Sequence, residues 1–305
     1  MLAAEEAELF RRHRPLGAIL FRRNVESPGQ LAALTAALRE EFGAEAPILV
    51  DQEGGRVARL RPPHWTAYPC AASFESGPEA AAEANAAMLG MECAAMGLDV
   101  VCAPCLDLRL PGQHEVIGDR AFSADPGEVA RLGAAWVRGL QSAGCTPVIK
   151  HIPGHGRALV DSHESLPRVE ATAVELEADI APFRDLARSG AWAMTAHILY
   201  DAWDAVRPAT LSPLVIREVI RGAIGFDGVL VSDDLAMGAM QGLSGDLSGD
   251  AIDAGCDLVL HCTGVLGETA SLLAACPPLS DEAGRRLEAA REALRQARRP
   301  LPAVA

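Results

Sequence analysis

The chain has 305 residues, half of them hydrophobic, and a formal net charge of −14. That length and apolar content support a large core, built from Leu, Val, Ile and Ala because aromatic residues make up only 4%. The acidity argues against nucleic acid and anionic membrane as partners, and no run approaches the roughly eighteen apolar residues of a membrane span. The opening MLAAEEAELFRRHRP carries early acidic residues and no continuous apolar stretch, so it does not read as a secretory signal. Eight scattered cysteines suit reduced thiols and a cytoplasmic location. Cys102 and Cys105 form a C-x-x-C, but with no second pair and a proline between them they read as small buried residues.

In chain order, a short N-terminal helix leads to an apolar strand at Leu16–Phe21. Ser27-Pro28-Gly29-Gln30 then has the composition of a helix start, and Leu31, Leu34 and Leu38 follow at helical spacing. A second strand, Pro47–Val50, ends in Asp51-Gln-Glu-Gly-Gly-Arg. Residues 76–97 are Ala-rich and helical, and a third apolar run spans Leu98–Ala103, with Asp107 just beyond. Asp125-Pro126 caps a helix with Leu132, Trp136 and Leu140 on one stripe, and Thr146–Ile149 is the fourth strand. Thr172 with Glu175 opens a helix to about Arg188, and Ala191–Ala196 is a fifth strand ending in His197. Ser212-Pro213 starts a helix to Arg221, Asp227–Asp234 holds a sixth strand ending in two carboxylates, and Asp257–Leu260 is a seventh. Residues 281–299 form a terminal amphipathic helix.

Strands alternate with helices, and most strands are apolar without interruption, the pattern of a parallel sheet covered by helices. The regular repeat, with no G-x-G-x-x-G after the first strand, favours a (β/α)8 TIM-like barrel over a doubly wound sheet. Seven strands are legible, so the barrel is irregular or one strand is hidden. Nothing marks a linker, and residues 1–305 read as one domain.

The polar residues collect at the C-terminal ends of the strands: Asp51, Asp107, Lys150, His151, His197 and Asp233. In a barrel these ends meet at one mouth. The opposite ends carry mainly Gly, Ala and Pro. The densest stretch is Lys150–His163, KHIPGHGRALVDSH, with three of the chain's eight histidines. Its Pro153, Gly154 and Gly156 suit neither a helix nor a central strand, so it is a polar loop leaving an apolar strand. Asp161-Ser162-His163 is a D-x-H in which the carboxylate can hold the imidazole in one tautomer and raise its pKa toward general-acid use. Asp233, at the end of a buried strand, is a candidate nucleophile or metal ligand. Lys150, Arg59 and Arg120 are donors suited to hydroxyls or carboxylates of a ligand. A zinc site from His151, His155, Asp161 and His163 is the rival, but the spacing matches no common zinc signature; His155 reads instead as shaping the loop through backbone hydrogen bonds. Metal-free acid/base chemistry is favoured, with no cofactor.

The segments VDQEGGRVARL (50–60), VIGDRAFSADP (116–126), KHIPGHG (150–156), DSH (161–163), MTAHI (194–198) and GVLVSDDLAM (228–237) together resemble family 3 glycoside hydrolases. Within that family they are most similar to the single-domain bacterial β-N-acetylglucosaminidases of peptidoglycan recycling. The resemblance covers roughly residues 15–265. It implies retention through a covalent glycosyl-enzyme, with Asp233 as nucleophile, Asp234 supporting it, and His163 as acid/base oriented by Asp161. It further implies that Asp51 binds sugar hydroxyls and that Arg59, Arg120, Lys150 and His151 hold the substrate. The implied substrate is N-acetylglucosamine linked to anhydro-N-acetylmuramic acid, a small carbohydrate or muropeptide. The chain departs from the usual pattern at Leu108–His114 and in the short Gly/Ser-rich segment after Met237. The alternatives are a β-glucosidase or β-xylosidase of the same family, a phosphorylase, and a non-catalytic muropeptide-binding protein.

Overall fold

The computed structural model describes residues 2–243 and 245–298. Its centre is a parallel sheet of β1 (Ala18–Leu20), β2 (Ile48–Val50), β3 (Val100–Val101), β4 (Thr146–Ile152), β5 (Trp192–Thr195), β6 (Leu230–Asp234) and β7 (Leu258–Leu260). The strands are hydrogen-bonded in sequence order, each to the next. The sheet curls into a nearly closed barrel. Near the free edges of β1 and β7, the Arg23 guanidinium donates to the Cys262 carbonyl at 2.6 Å. Seven strands build this barrel among the described residues, the number legible in the sequence and one short of a full eightfold repeat.

Helices α1 (Ala4–His13), α2 (Pro28–Phe42), α3 (Glu79–Ala95), α4 (Pro126–Ser142), α5 (Ala173–Asp185), α6 (Leu247–Ala254), α7 (Leu266–Ala275) and α8 (Asp281–Ala297) accompany the strands. The sequence signals of helix starts hold at atomic detail. Ser27 Oγ accepts from Gln30 N, Asp125 Oδ1 from Glu128 N, and Thr172 and Glu175 cap each other reciprocally. The helix after Ser212 is wound as a π-helix over Val215–Ala223. The expected end of α8 at Arg299 lies outside the described residues. The sequence did not signal α6 or α7, nor the small ribbons pairing Gln52–Gly54 with Val57–Ala58 and Arg168–Val169 with Leu199–Tyr200.

Side-chain alternation explains how this scaffold makes a site. Leu49, Val100, Val148, Trp192, Met194 and Val231 form an inner cluster, while Ile48, Val50, Val101, Ile149, Ala193 and Leu230 belong to a larger outer core with the helices. Each buried Val, Leu or Ile contributes roughly 1.5–3 kcal/mol. Leu287 and Ala290 of α8 join the inner cluster and close the lower end of the barrel. That lower end is not as apolar as its sequence suggests: the Asp257 carboxylate is gripped by Arg221 and Arg286. At the upper end the inward stripe advances by two residues, from Leu49 to Asp51, Val148 to Lys150 and Val231 to Asp233.

Candidate active site

The cleft at the C-terminal mouth encloses about 490 Å³ and is lined by all eight candidate residues: Asp51, Arg59, Arg120, Lys150, His151, Asp161, His163 and Asp233. The register slips by one residue between Lys150 and Ile152 where β4 pairs with β5. A bulge of this kind re-aims side chains, and both Lys150 and His151 reach the cleft.

Most of the charge is locked in one buried network. The Lys150 ammonium lies 2.8 Å from Asp51 Oδ1 and 2.6 Å from Glu53 Oε1. Arg59 bonds Asp51 Oδ2 at 2.9 Å, and Arg120 clasps both oxygens of Glu53 at 2.9 Å. Burial pushes the Asp51 carboxyl up, but Lys150 and Arg59 hold it well below the usual range. Glu53 is likewise brought down to about 2, chiefly by Arg120 and Lys150 against the cost of burial. Burial would lower the Lys150 ammonium, and the two carboxylates hold it above its ordinary value. All these groups are therefore ionised near neutral pH, a fixed array of donors and acceptors for hydroxyl groups.

Asp233 stands beside this array. Its Oδ1 accepts from the Asp234 amide at 2.8 Å, and its Oδ2 faces His151 Nε2 at 4.0 Å. Burial raises its carboxyl, but His151, His197, the Asp234 amide and Lys150 together hold it below the ordinary value, as a carboxylate. Asp234 is turned into structure: its Oδ1 accepts from the amides of Ala236 and Cys262, and its carbonyl accepts from His197 Nε2 at 3.0 Å. A carbonyl only accepts, so His197 carries a proton on Nε2; burial pushes that imidazole below its ordinary value, against the pull of Asp233 and the Asp234 carbonyl.

Asp161 and His163 form the expected pair, Nδ1 to Oδ1 at 2.8 Å, and Asp161 Oδ1 also accepts the His163 amide. A carboxylate only accepts, so Nδ1 bears the proton and Nε2 is left for a ligand. The His163 side chain is 63% exposed. His155 shapes the loop as expected, but its ring does so through a side-chain hydroxyl and not the backbone. Its ring bonds the Ser162 hydroxyl at 3.1 Å, and its amide donates to Asp107 at 2.6 Å.

Two residues escaped the sequence reading. Glu53 follows Asp51 by two, which would have placed both on one side of an extended segment; that spacing was the available signal. Asp107 was seen at a strand end but given no role. It is fully buried and accepts from the His151 amide, His151 Nδ1, the His155 amide and the Cys105 thiol. It fixes both the turn and the imidazole that faces Asp233. Cys105, Asp107 and His151 converge within 4.8 Å, a spacing a metal could use. Here the carboxylate already accepts from the thiol and the imidazole, so the cluster is explained as a hydrogen-bond network. Cys102 and Cys105 are buried free thiols, as read from the sequence.

Comparison with known proteins identifies the family of the chain. Residues 2–291 match the glycosyl hydrolase family 3 N-terminal domain. A β-hexosaminidase of Alkalilimnicola ehrlichii is 43% identical over 273 residues, 86% of this chain and 77% of that protein. One from Pseudomonas aeruginosa is 38% identical over 267 residues, covering 86% of this chain and 79% of its own length. Among solved structures, NagZ of Neisseria gonorrhoeae in complex with N-trifluoroacetyl-D-glucosamine superposes with a TM-score of 0.85 at 35% identity, covering 97% of this chain and 89% of that one. A family 3 β-N-acetylglucosaminidase from Paenibacillus sp. gives 0.84 at 36% identity; 99% of this chain spans 62% of that longer protein. The chain therefore belongs to glycosyl hydrolase family 3 and is a glycoside hydrolase with β-N-acetylhexosaminidase activity.

Proposed function

We propose that the chain is a retaining exo-β-N-acetylglucosaminidase, one catalytic barrel domain that acts in the cytoplasm in peptidoglycan recycling. It removes non-reducing terminal N-acetylglucosamine from fragments in which that sugar is linked to anhydro-N-acetylmuramic acid, with or without peptide. The observation that carries the reading is a single cleft lined by a partly buried carboxylate, Asp233, and an Asp161–His163 pair with its imidazole exposed, beside a hydroxyl-binding array. A family 3 relative bound to an N-acylated glucosamine points the same way.

In this reading Asp233 Oδ2 attacks the anomeric carbon, the glycosidic C–O bond breaks, and His163 Nε2 delivers its proton to the leaving oxygen. A water molecule then gives a proton to His163 and attacks the same carbon, releasing Asp233 as a carboxylate. Retention normally employs two carboxyl groups; here the acid/base is an imidazole, and Asp161 stabilises its charged form. Asp51, Arg59, Arg120, Lys150 and His151 bind the sugar and exclude misplaced poses.

The test is hydrolysis of an aryl β-N-acetylglucosaminide beside the matching β-glucoside, with and without phosphate. Turnover of the N-acetyl substrate alone, indifferent to phosphate, supports the reading. Preference for the glucoside makes the chain a β-glucosidase, and a sugar 1-phosphate product makes it a phosphorylase.

A further inference from the structure

The loop that carries His163 does not stand alone. The chain leaving the nucleophile strand turns back against it: Gly238 N donates to the His163 carbonyl at 3.1 Å, and Ala239 N donates to the Ser162 carbonyl at 2.9 Å. From the other side, the His155 ring meets the Ser162 hydroxyl. His155 Nδ1 is buried with no partner and the ring is held neutral, down to about 4, mainly by burial. The economical tautomer puts the proton on Nε2, so His155 donates to Ser162. Three hydrogen bonds thus converge on the two residues Ser162 and His163.

Gly238 is fitted to that contact. A Cβ at this position would lie 2.4 Å from the His163 carbonyl oxygen and 2.7 Å from the Glu164 carbonyl carbon and oxygen. All three are backbone atoms, which cannot swing aside as a side chain could. Gly238 is not in the left-handed region, so an alanine would suit its backbone. The requirement is for space, and what occupies the space is the loop bearing His163.

We propose that Gly238 is a positioning residue for His163: the bare backbone at 238–239 seats the acid/base loop on the loop of the nucleophile, and any side chain at 238 lifts it. The inference rests on the acid/base reading of His163. Its signature is selective. A displaced acid fails to protonate a poor leaving group, whereas a good leaving group departs as an anion and needs no proton. Attack by Asp233 and sugar binding are left in place.

The experiment compares Gly238→Ala with wild type on phenyl and 2,4-dinitrophenyl β-N-acetylglucosaminides, with His163→Ala and the double variant alongside. Misplacing a catalytic group by about 1 Å can cost on the order of a hundredfold, and a general acid contributes about 10²–10⁴-fold. The expected result is a loss of about tenfold or more in kcat/KM on the phenyl substrate and a change within about threefold on the dinitrophenyl substrate, with a melting temperature lowered by about 2–8 °C by the local clash. In the His163→Ala background, Gly238→Ala should cost almost nothing more, because both act through one group. Equal losses on the two substrates, no loss on either, or additive losses in the double variant overturn the proposal. Should Gly238→Ala fail to fold, Ser162→Ala removes the hydroxyl held by His155 without touching the backbone. It should show the same selectivity with a smaller loss, and equal losses on both substrates or none would overturn the proposal. If His163→Ala itself shows no dependence on the leaving group, the acid/base assignment falls first, and the two failures are told apart.

Discussion

Asp233 and His163 share one cleft but are held in contrasting ways. Asp233 extends a buried strand, one oxygen bound to its neighbour's amide and the other facing an imidazole that Asp107 fixes. His163 is largely exposed, on a loop whose tip carries Leu159 at 65% exposure and Val160 at 40%. The carboxylate belongs to the rigid barrel; the imidazole depends on contacts made by a loop. In the proposed reaction a bond forms at one fixed carbon, and a departing alcohol is then exchanged for a water molecule. Rigidity at the first point and adjustability at the second suit those demands.

The largest test of this contrast is Asp233→Ala, which should lower kcat by about a thousandfold or more while ligand binding survives. Persistent turnover, followed with an aryl glycoside, would remove Asp233 from the nucleophile's place. Next, Glu53→Ala should destabilise the fold by about 3 kcal/mol or more, because it leaves Lys150 and Arg120 underpaired in a buried site. Urea unfolding reads that loss, and a change below about 1 kcal/mol would show that the array under the sugar is not rigidly coupled to the barrel.

The pH response probes the boundary between the two regions. His155, held down to about 4 mainly by burial, stays neutral in the folded protein, whereas its unfolded counterpart titrates near 6.5. The unfolded chain binds more protons between those values, so the stability this residue confers is full above pH 6.5 and falls as the pH drops toward 4. Asp179, pushed up to about 6 by burial, responds in the opposite sense. The difference between wild type and His155→Gln therefore isolates the histidine. Wild type should lose about 3 kcal/mol relative to the variant between pH 7 and pH 4. A difference that does not move with pH would mean that the ring is solvated. The smallest expected effect is that of Leu159→Ser, within about 0.5 kcal/mol of wild-type stability, since that side chain lies on the surface of the loop.

The strands were legible because runs such as LGAILF and GVLVSDD are apolar without interruption and end in charge. Most helix starts were legible because a capping hydroxyl or carboxylate acts within three residues of its target. Gly238 and Ala239, between GVLVSDDLAM and the Gly/Ser-rich segment that follows, carried no reading in the sequence, yet their backbone amides grip Ser162 and His163. Backbone donors leave no mark in side-chain chemistry, so nothing in GAM distinguishes a seat from a spacer. The roles of Glu53 and Asp107 were hidden for another reason. Their partners Arg120 and His151 lie 67 and 44 residues away, and only the fold brings them together. D-x-H was legible in full because both members and their bond fall within two residues.

The closing of the barrel's lower end by α8 has a consequence for how the molecule is made. Leu287 and Ala290 complete an interior whose first buried member, Leu49, emerges from the ribosome roughly 240 residues earlier. At about 5–20 residues per second, ten seconds or more separate those events. Val148, Trp192 and Val231 follow within that interval, and the cylinder they line stays open to water at its base until α8 arrives. Until then the base is an apolar opening, which α8 closes like a stopper.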